Sequence, residues 1–373
     1  MTDWKKIRDK FPALKEYCYL NCAEGSPIAE EVAGAAKNYY DGMKAHGDLI
    51  YEEWLDRVNQ IRRDVADYIG ADSDEIAFTT NTSSGMNVIS QMLRGEGDVI
   101  TMRDEFPSST LPWLHNGYPV RFVEPVDYSY PISKIEDEVD SKSRILVSSH
   151  IQYATGFRQD LDKLSELAKR HQLYFVLNAT QSFGTFPIDV KKQGVDFLCS
   201  TGLKWTMSGY GIGICFVSKE MQERFKFPAV GWKSVEDPDL MDNTNSEWKH
   251  SAQMMETGCL HFPNIFALGA AIDLFNQIGP ENITHRILEL SQYAVRKLQA
   301  LRATLLSPIA AEETRSGTLV VKVRKPEDVK LELRKKGIIL SKRGGGLRIS
   351  CHIYNNFEDI DRCVEALKPH LIA

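Results

Sequence analysis

Short apolar runs alternate with amphipathic helical spacings from about residue 60 to residue 220 of the chain. Runs rich in β-branched and aromatic residues predict strands over Glu75–Thr79, Asp98–Met102, Val120–Val123, Arg144–Ser149, Leu173–Leu177, Phe197–Cys199 and Ile212–Val217. Apolar positions on one helical face predict helices over Val58–Tyr68, Gly85–Leu93 and Leu161–His171. Such alternation predicts an α/β domain built on a mostly parallel sheet, with ligands held beyond the carboxyl ends of its strands.

The pattern changes after about residue 262. Helices over Ile265–Gln277 and Glu281–Leu305 lead into a strand over Thr318–Val323 and a helix over Pro326–Lys336. Strands over Ile338–Ser341 and Leu347–Ser350 and a helix over Phe357–Leu367 complete the chain. This predicts a large α/β domain over residues 15–262 and a small α+β domain over 263–373, the latter joined by the N-terminal helix within residues 1–14.

Composition narrows the function classes. The 373 residues are 43% hydrophobic and 26% charged, as in an ordinary globular protein. A net charge of −6 with interspersed signs argues against a nucleic-acid partner. The first ten residues lack the apolar stretch of a signal peptide, and no run is long enough to span a bilayer. Seven scattered cysteines without a C-x-x-C pair, and histidines without ligand spacing, point to a reducing, cytoplasmic location and no structural metal.

The chemistry centres on Lys204, in Ser200-Thr201-Gly202-Leu203-Lys204-Trp205, a polar strand end just before a glycine run. A solitary lysine is usually a solvated surface charge. One placed at a strand end can instead hold an aldehyde cofactor as a Schiff base, and pyridoxal 5'-phosphate (PLP) is the cofactor that needs one. Thr79-Thr80-Asn81-Thr82-Ser83-Ser84-Gly85 ends a strand and opens a helix, where free amides and hydroxyls suit a phosphate or a plain N-cap. Phe106, after the next strand, suits stacking on a flat ring or simple packing. Asn178 and Gln181 offer amides to a pyridine ring or to a turn, and Arg348 offers a fork to a carboxylate or a structural ion pair.

In this order these residues resemble the class V aminotransferase family of fold-type I PLP enzymes, and within it the isopenicillin-N epimerase and cysteine-desulfurase-like branch. The likeness runs from Tyr19-Leu20-Asn21 to Tyr354-Asn355. It implies a PLP-dependent transferase-like large domain with a seven-stranded sheet, and a homodimer. It also implies Lys204 as the Schiff-base lysine, with Thr82, Ser83 and Thr201 at the phosphate and Phe106 on the pyridine. Gln181, with Gln152 as a weaker neighbour, would lie near the ring oxygen, and Asn178 at the ring nitrogen. Gly258 and Cys259 would reach the partner subunit's phosphate, and Arg348 would take the substrate carboxylate. The stretch Asn21-Cys-Ala-Glu-Gly25, with Asn21 and Ala23 foremost, and Trp232 hold further candidates for substrate contact.

Three departures qualify that picture. The family's D-x-x-Q reads Asn178-Ala-Thr-Gln181, which removes the carboxylate that keeps the pyridine protonated. Amino-group transfer, the family default, should be slowed more than epimerisation or elimination of a C–S bond. A non-catalytic PLP-binding protein is the contrasting class. The loop Ser341-Lys-Arg-Gly-Gly-Gly-Leu347 lacks the cysteine that desulfurases carry in that region, so desulfurase activity is not expected. Leu203 and Cys259 replace the histidine and threonine common at their positions.

Overall fold

The computed structural model describes residues 2–372. Helices α1 (Trp4–Asp9), α2 (Glu30–His46) and α3 (Tyr51–Tyr68) and strand β1 (Cys18–Tyr19) precede the main sheet. That sheet contains β2 (Ile76–Thr79), β3 (Asp98–Met102), β4 (Val120–Val123), β5 (Ser143–Ser149), β6 (Tyr174–Asn178), β7 (Phe197–Thr201) and β8 (Gly213–Val217). Its spatial order is β2-β8-β7-β6-β5-β3-β4, parallel throughout except where β8 runs antiparallel to both neighbours. The expected α/β architecture with a mostly parallel, seven-stranded sheet is therefore present.

Both faces of this sheet are covered, which explains why its central strands read as continuous apolar runs. Alternate residues Phe175, Leu177, Leu198 and Phe216 pack with α2, α3 and α9 (Phe262–Ile278) in one cluster. The intervening Val176, Phe197, Cys199 and Val217 pack with α4 (Thr82–Met92) and α5 (Pro107–His115) in another. Helices α6 (Ile132–Asp137), α7 (Leu161–His171) and α8 (Lys219–Arg224) follow β4, β5 and β8.

A smaller core lies beside the sheet. It gathers Leu290, Val295 and Leu298 of α10 (Pro280–Ala300), β9 (Thr318–Val321), α11 (Pro326–Lys335), β12 (Gly346–Ser350) and α12 (Phe357–Leu367). The expected strand over 338–341 is two strands. Those of β10 (Ile338–Ile339) pair in parallel with β1, whereas β11 (Ser341–Arg343) pairs antiparallel with β12. The α10 helix also stops short of the expected Leu305, and Leu305 instead bridges Val321. Helix α9, expected with the small unit, is apolar on nearly every side and packs into the larger cluster against α2 and α3. Arg8, just C-terminal to the midpoint of α1, pairs with Asp359 of α12 at 2.7 Å and ties the N-terminus to the smaller core.

Candidate active site

The turn after β7 is built around Gly202. Its N–H donates to the Ile212 carbonyl and its carbonyl accepts from Ser208 N–H, both at 2.8 Å. A Cβ on Gly202 would sit 2.4 Å from both Ile212 Cγ2 and Ser208 Oγ, so no larger residue fits this turn. The turn carries Lys204 into a cavity of about 300 Å³ beyond the strand ends. Burial, followed by the charges of Arg348 and Arg343, lowers the Lys204 amine to about 7, with Glu24 opposing. A substantial fraction of this amine is therefore neutral and nucleophilic near neutral pH.

One wall is the start of α4. Asn81 caps the helix by accepting from Ser84 N–H at 3.0 Å, and the Thr82 and Thr180 hydroxyls share a hydrogen bond of 2.6 Å. Gly85 lets this helix approach the sheet, since a Cβ there would meet Cys199 Sγ at 2.5 Å. Ser83 and Thr201 complete a hydroxyl-lined corner at a helix N-terminus, a place suited to a phosphate. The Phe106 ring forms another wall, with Lys204 Nζ 5.2 Å from its centroid, and it stands edge-on to Tyr153.

Arg348 is buried at the opposite side, where Nε donates to Ser341 Oγ at 3.1 Å and Nη1 to the Tyr153 carbonyl at 2.8 Å. Both acceptors are neutral. Burial and then the Arg343 charge bring its guanidinium down to about 10.

The structure thus brings Thr82, Ser83, Phe106, Thr201, Lys204, Arg348 and Ala23 to one cavity. The remaining candidates do not line that cavity. Gln181 accepts from Trp205 Nε1 at 2.7 Å and donates to the Ala23 carbonyl at 3.1 Å. Gln152 donates to Glu105 at 2.8 Å, and its Oε1 is buried without a partner. Asn21 donates to Glu24 at 2.8 Å. Gly258 and Cys259 line a separate depression with Thr80 and Ser84, on a segment fixed by the buried Arg62–Glu256 pair at 2.6 Å. Trp232 is half-exposed and lines a third depression.

Asn178 is buried behind the cavity. Its Oδ1 accepts from Thr180 N–H at 3.0 Å, and its Nδ2 donates to Ser109 Oγ at 2.8 Å. A backbone N–H can only donate, so the orientation of this carboxamide is fixed. Having accepted from Asn178, the Ser109 hydroxyl keeps its proton free to donate, and its nearness opposes the rise that burial gives the Glu105 carboxyl. Glu105 also accepts from Ser149 N–H and Ser149 Oγ; burial raises its pKa while these bonds oppose the rise.

Glu24, from the candidate stretch Asn21–Gly25, also lines the cavity, as do Tyr153, Thr180, Tyr210 and Arg343, which sequence reasoning did not single out. Arg343 and Glu24 form an ion pair of 2.9 Å across its mouth. Arg343 lies just ahead of the glycines before Arg348, which was a signal available in the sequence; Glu24, more than 300 positions away, lies in the Asn21–Gly25 stretch, but its pairing with Arg343 is a tertiary contact that no spacing encodes.

The sequence matches the family model described as aminotransferase class V over residues 18–363. It is 26% identical to an uncharacterised aminotransferase, YcbU of Bacillus subtilis, over 99% of this chain and 98% of that protein. The fold superposes on an apo cysteine desulfurase from Thermococcus onnurineus with a TM-score of 0.91, at 24% identity and covering 99% and 98% of the two chains. It also superposes on the cystine C–S lyase C-DES in complex with its product cysteine persulfide, with a TM-score of 0.90 at 20% identity, covering 97% and 100%. A variant of that lyase has glycine covalently linked to its PLP cofactor. At these identities the solved structures establish a shared fold.

Proposed function

Because the chain belongs to the class V aminotransferase family, we propose that it is a PLP-dependent enzyme that moves the α-proton of a small amino acid through Lys204. The observation that carries this reading is the Lys204 amine, lowered to about 7 in a cavity that also holds a hydroxyl-rich helix start, an aromatic face and a buried arginine. Those residues fit PLP. Thr82, Ser83, Thr201 and the α4 amides would hold its phosphate, Phe106 would cover its ring, and Lys204 would bond its aldehyde carbon. When bound, the cofactor takes up the substrate amino group and lends its ring as a sink for the electrons left at Cα.

The chain's own groups would do the rest. Arg348 would grip the α-carboxylate and so fix which bond at Cα faces the ring. Lys204, released by the incoming amine, would take the α-proton and return it. Asn178, held by Ser109 and Thr180 behind the cavity, would offer the ring nitrogen at most a neutral amide. A neutral partner in place of a carboxylate would leave that nitrogen less protonated and the sink weaker. This favours elimination at Cβ or epimerisation over amino-group transfer, the reaction expected by default.

Incubating the loaded protein with amino acids in heavy water tests the reading. Exchange at Cα with a keto acid and ammonia formed in the absence of an acceptor supports elimination. Exchange with keto acid only when an acceptor is present supports transfer. No exchange with any amino acid would leave a non-catalytic PLP-binding protein. A homodimer in which Gly258 and Cys259 face the partner's phosphate, in a reducing cytoplasm, belongs to the same reading. Seven cysteines without disulfides accord with that compartment.

A further inference from the structure

Four charged side chains line the Lys204 cavity: Glu24, Lys204, Arg343 and Arg348. The function proposed above occupies Lys204 and Arg348 and leaves Arg343 without a task. Ser341 and Arg348 are direct partners across the β11–β12 pair, and Arg343 follows Ser341 by two residues on the same strand. Side chains two apart on a strand share a face, so Arg343 and Arg348 leave the hairpin on one side as diagonal neighbours, with backbones roughly 7–8 Å apart. Two guanidinium groups that enter one cavity from one face of a hairpin can each meet one of two acidic groups on a short carbon chain.

A carboxylate already stands at the Arg343 position. Glu24 Oε1 lies 2.9 Å from Arg343 Nη2, with the two side chains 46% and 38% exposed. An ion pair so exposed contributes little, so a ligand carboxylate can replace Glu24 at little cost. A displaced Glu24 would keep its bond from Asn21. The tip beyond Arg343 is firmly seated: Gly344 and Gly345 have φ of +57° and +83°, and a Cβ on Gly344 would lie 2.7 Å from the Ala154 carbonyl. The guanidinium itself is held by Glu24 and by the Lys342 carbonyl, which accepts from Nη1 at 2.7 Å.

We propose that Arg343 selects amino acids that carry a second acidic group on the side chain, a carboxylate or an equivalent oxyanion, with Glu24 holding its place when the site is empty. The inference rests on the proposed function for the role of Arg348, and its test does not require turnover. Isothermal titration of the PLP-loaded protein with succinate and with its monoamide, succinamate, compares two unreactive ligands that differ in one acidic group. Succinate should bind about tenfold more tightly, the value of one charge-assisted guanidinium contact. In Arg343→Gln the two ligands should bind within about twofold of each other, because that contact is gone. Glu24→Gln should strengthen succinate, since its competitor has lost its charge.

Equal binding of the two ligands by the wild type, or an undiminished preference in Arg343→Gln, would overturn the proposal. Tighter binding of a basic analogue such as 4-aminobutyrate would overturn it too, and would make Glu24 the selector. The reading of the site itself fails separately: if succinate discriminates through Arg343 but no amino acid alters the cofactor spectrum, selection stands and the enzyme reading falls.

Discussion

Asn178 Nδ2 donates to Ser109 Oγ at 2.8 Å, which places a neutral, oriented carboxamide where the family pattern has a carboxylate. The buried Glu105 behind Ser109 makes this arrangement self-consistent. A second carboxylate at 178 would share Ser109 with the first, and two buried like charges so close disfavour each other. Replacing Asn178 with Asp should therefore give a partly protonated side chain, but still a better partner for a protonated ring nitrogen. The ratio of amino-group transfer to elimination should rise about tenfold, as for one pK unit gained by the ring nitrogen. Product analysis with and without a keto-acid acceptor checks this. An unchanged ratio in a folded, cofactor-loaded variant would refute the electronic argument.

Cofactor loading should follow the titration of Lys204. Only the neutral amine condenses with an aldehyde, and its proton is lost as pH rises through about 7. The rate of loading cofactor-free protein should climb through that pH and level off above it. Arg348→Gln removes a neighbouring positive charge, raises the lysine pKa and moves the midpoint upward. Stopped-flow absorbance against pH measures both; a midpoint near the ordinary lysine range in the wild type would contradict the burial argument.

Gln181 should prove structural. Its carboxamide is the partner of the buried Trp205 indole N–H. Gln181→Ala leaves that donor unpaired and should lower stability by about 1–3 kcal/mol in urea denaturation. Gln181→Glu keeps an acceptor and should lose less.

The Arg62–Glu256 pair should hold the 257–260 segment in place. Glu256 also accepts from Phe78 N–H at 2.7 Å, so the pair joins that segment to the edge strand β2. Arg62→Met strands a buried carboxylate and should destabilise the fold by roughly 3–5 kcal/mol. Hydrogen exchange at Thr257–Leu260 should quicken in the variant, whereas exchange confined to other regions would count against this role.

Much of the fold was legible because parallel strands buried on both faces leave long apolar runs, and Phe197–Thr201 and Tyr174–Asn178 are of that kind. Helix α2 was not found in the sequence: only Val32 and Ala35 are buried along its length, so its apolar periodicity is faint. The break after Ile339 was also hidden, because it depends on pairing with Cys18 and Tyr19 at the other end of the chain. At the site, Lys204, Thr82, Phe106 and Arg348 were found from local motifs. The commitments of Gln181 to Trp205 and of Asn178 to Ser109 were not, since each is a tertiary contact that no spacing encodes.

The visible absorption spectrum of the purified protein with PLP, taken beside Lys204→Ala, tests the central claim most directly. The account predicts a band from lysine-bound cofactor in the wild type that is lost or shifted in the variant. A folded wild type that shows no such band, or a band indifferent to the loss of Lys204, would contradict it.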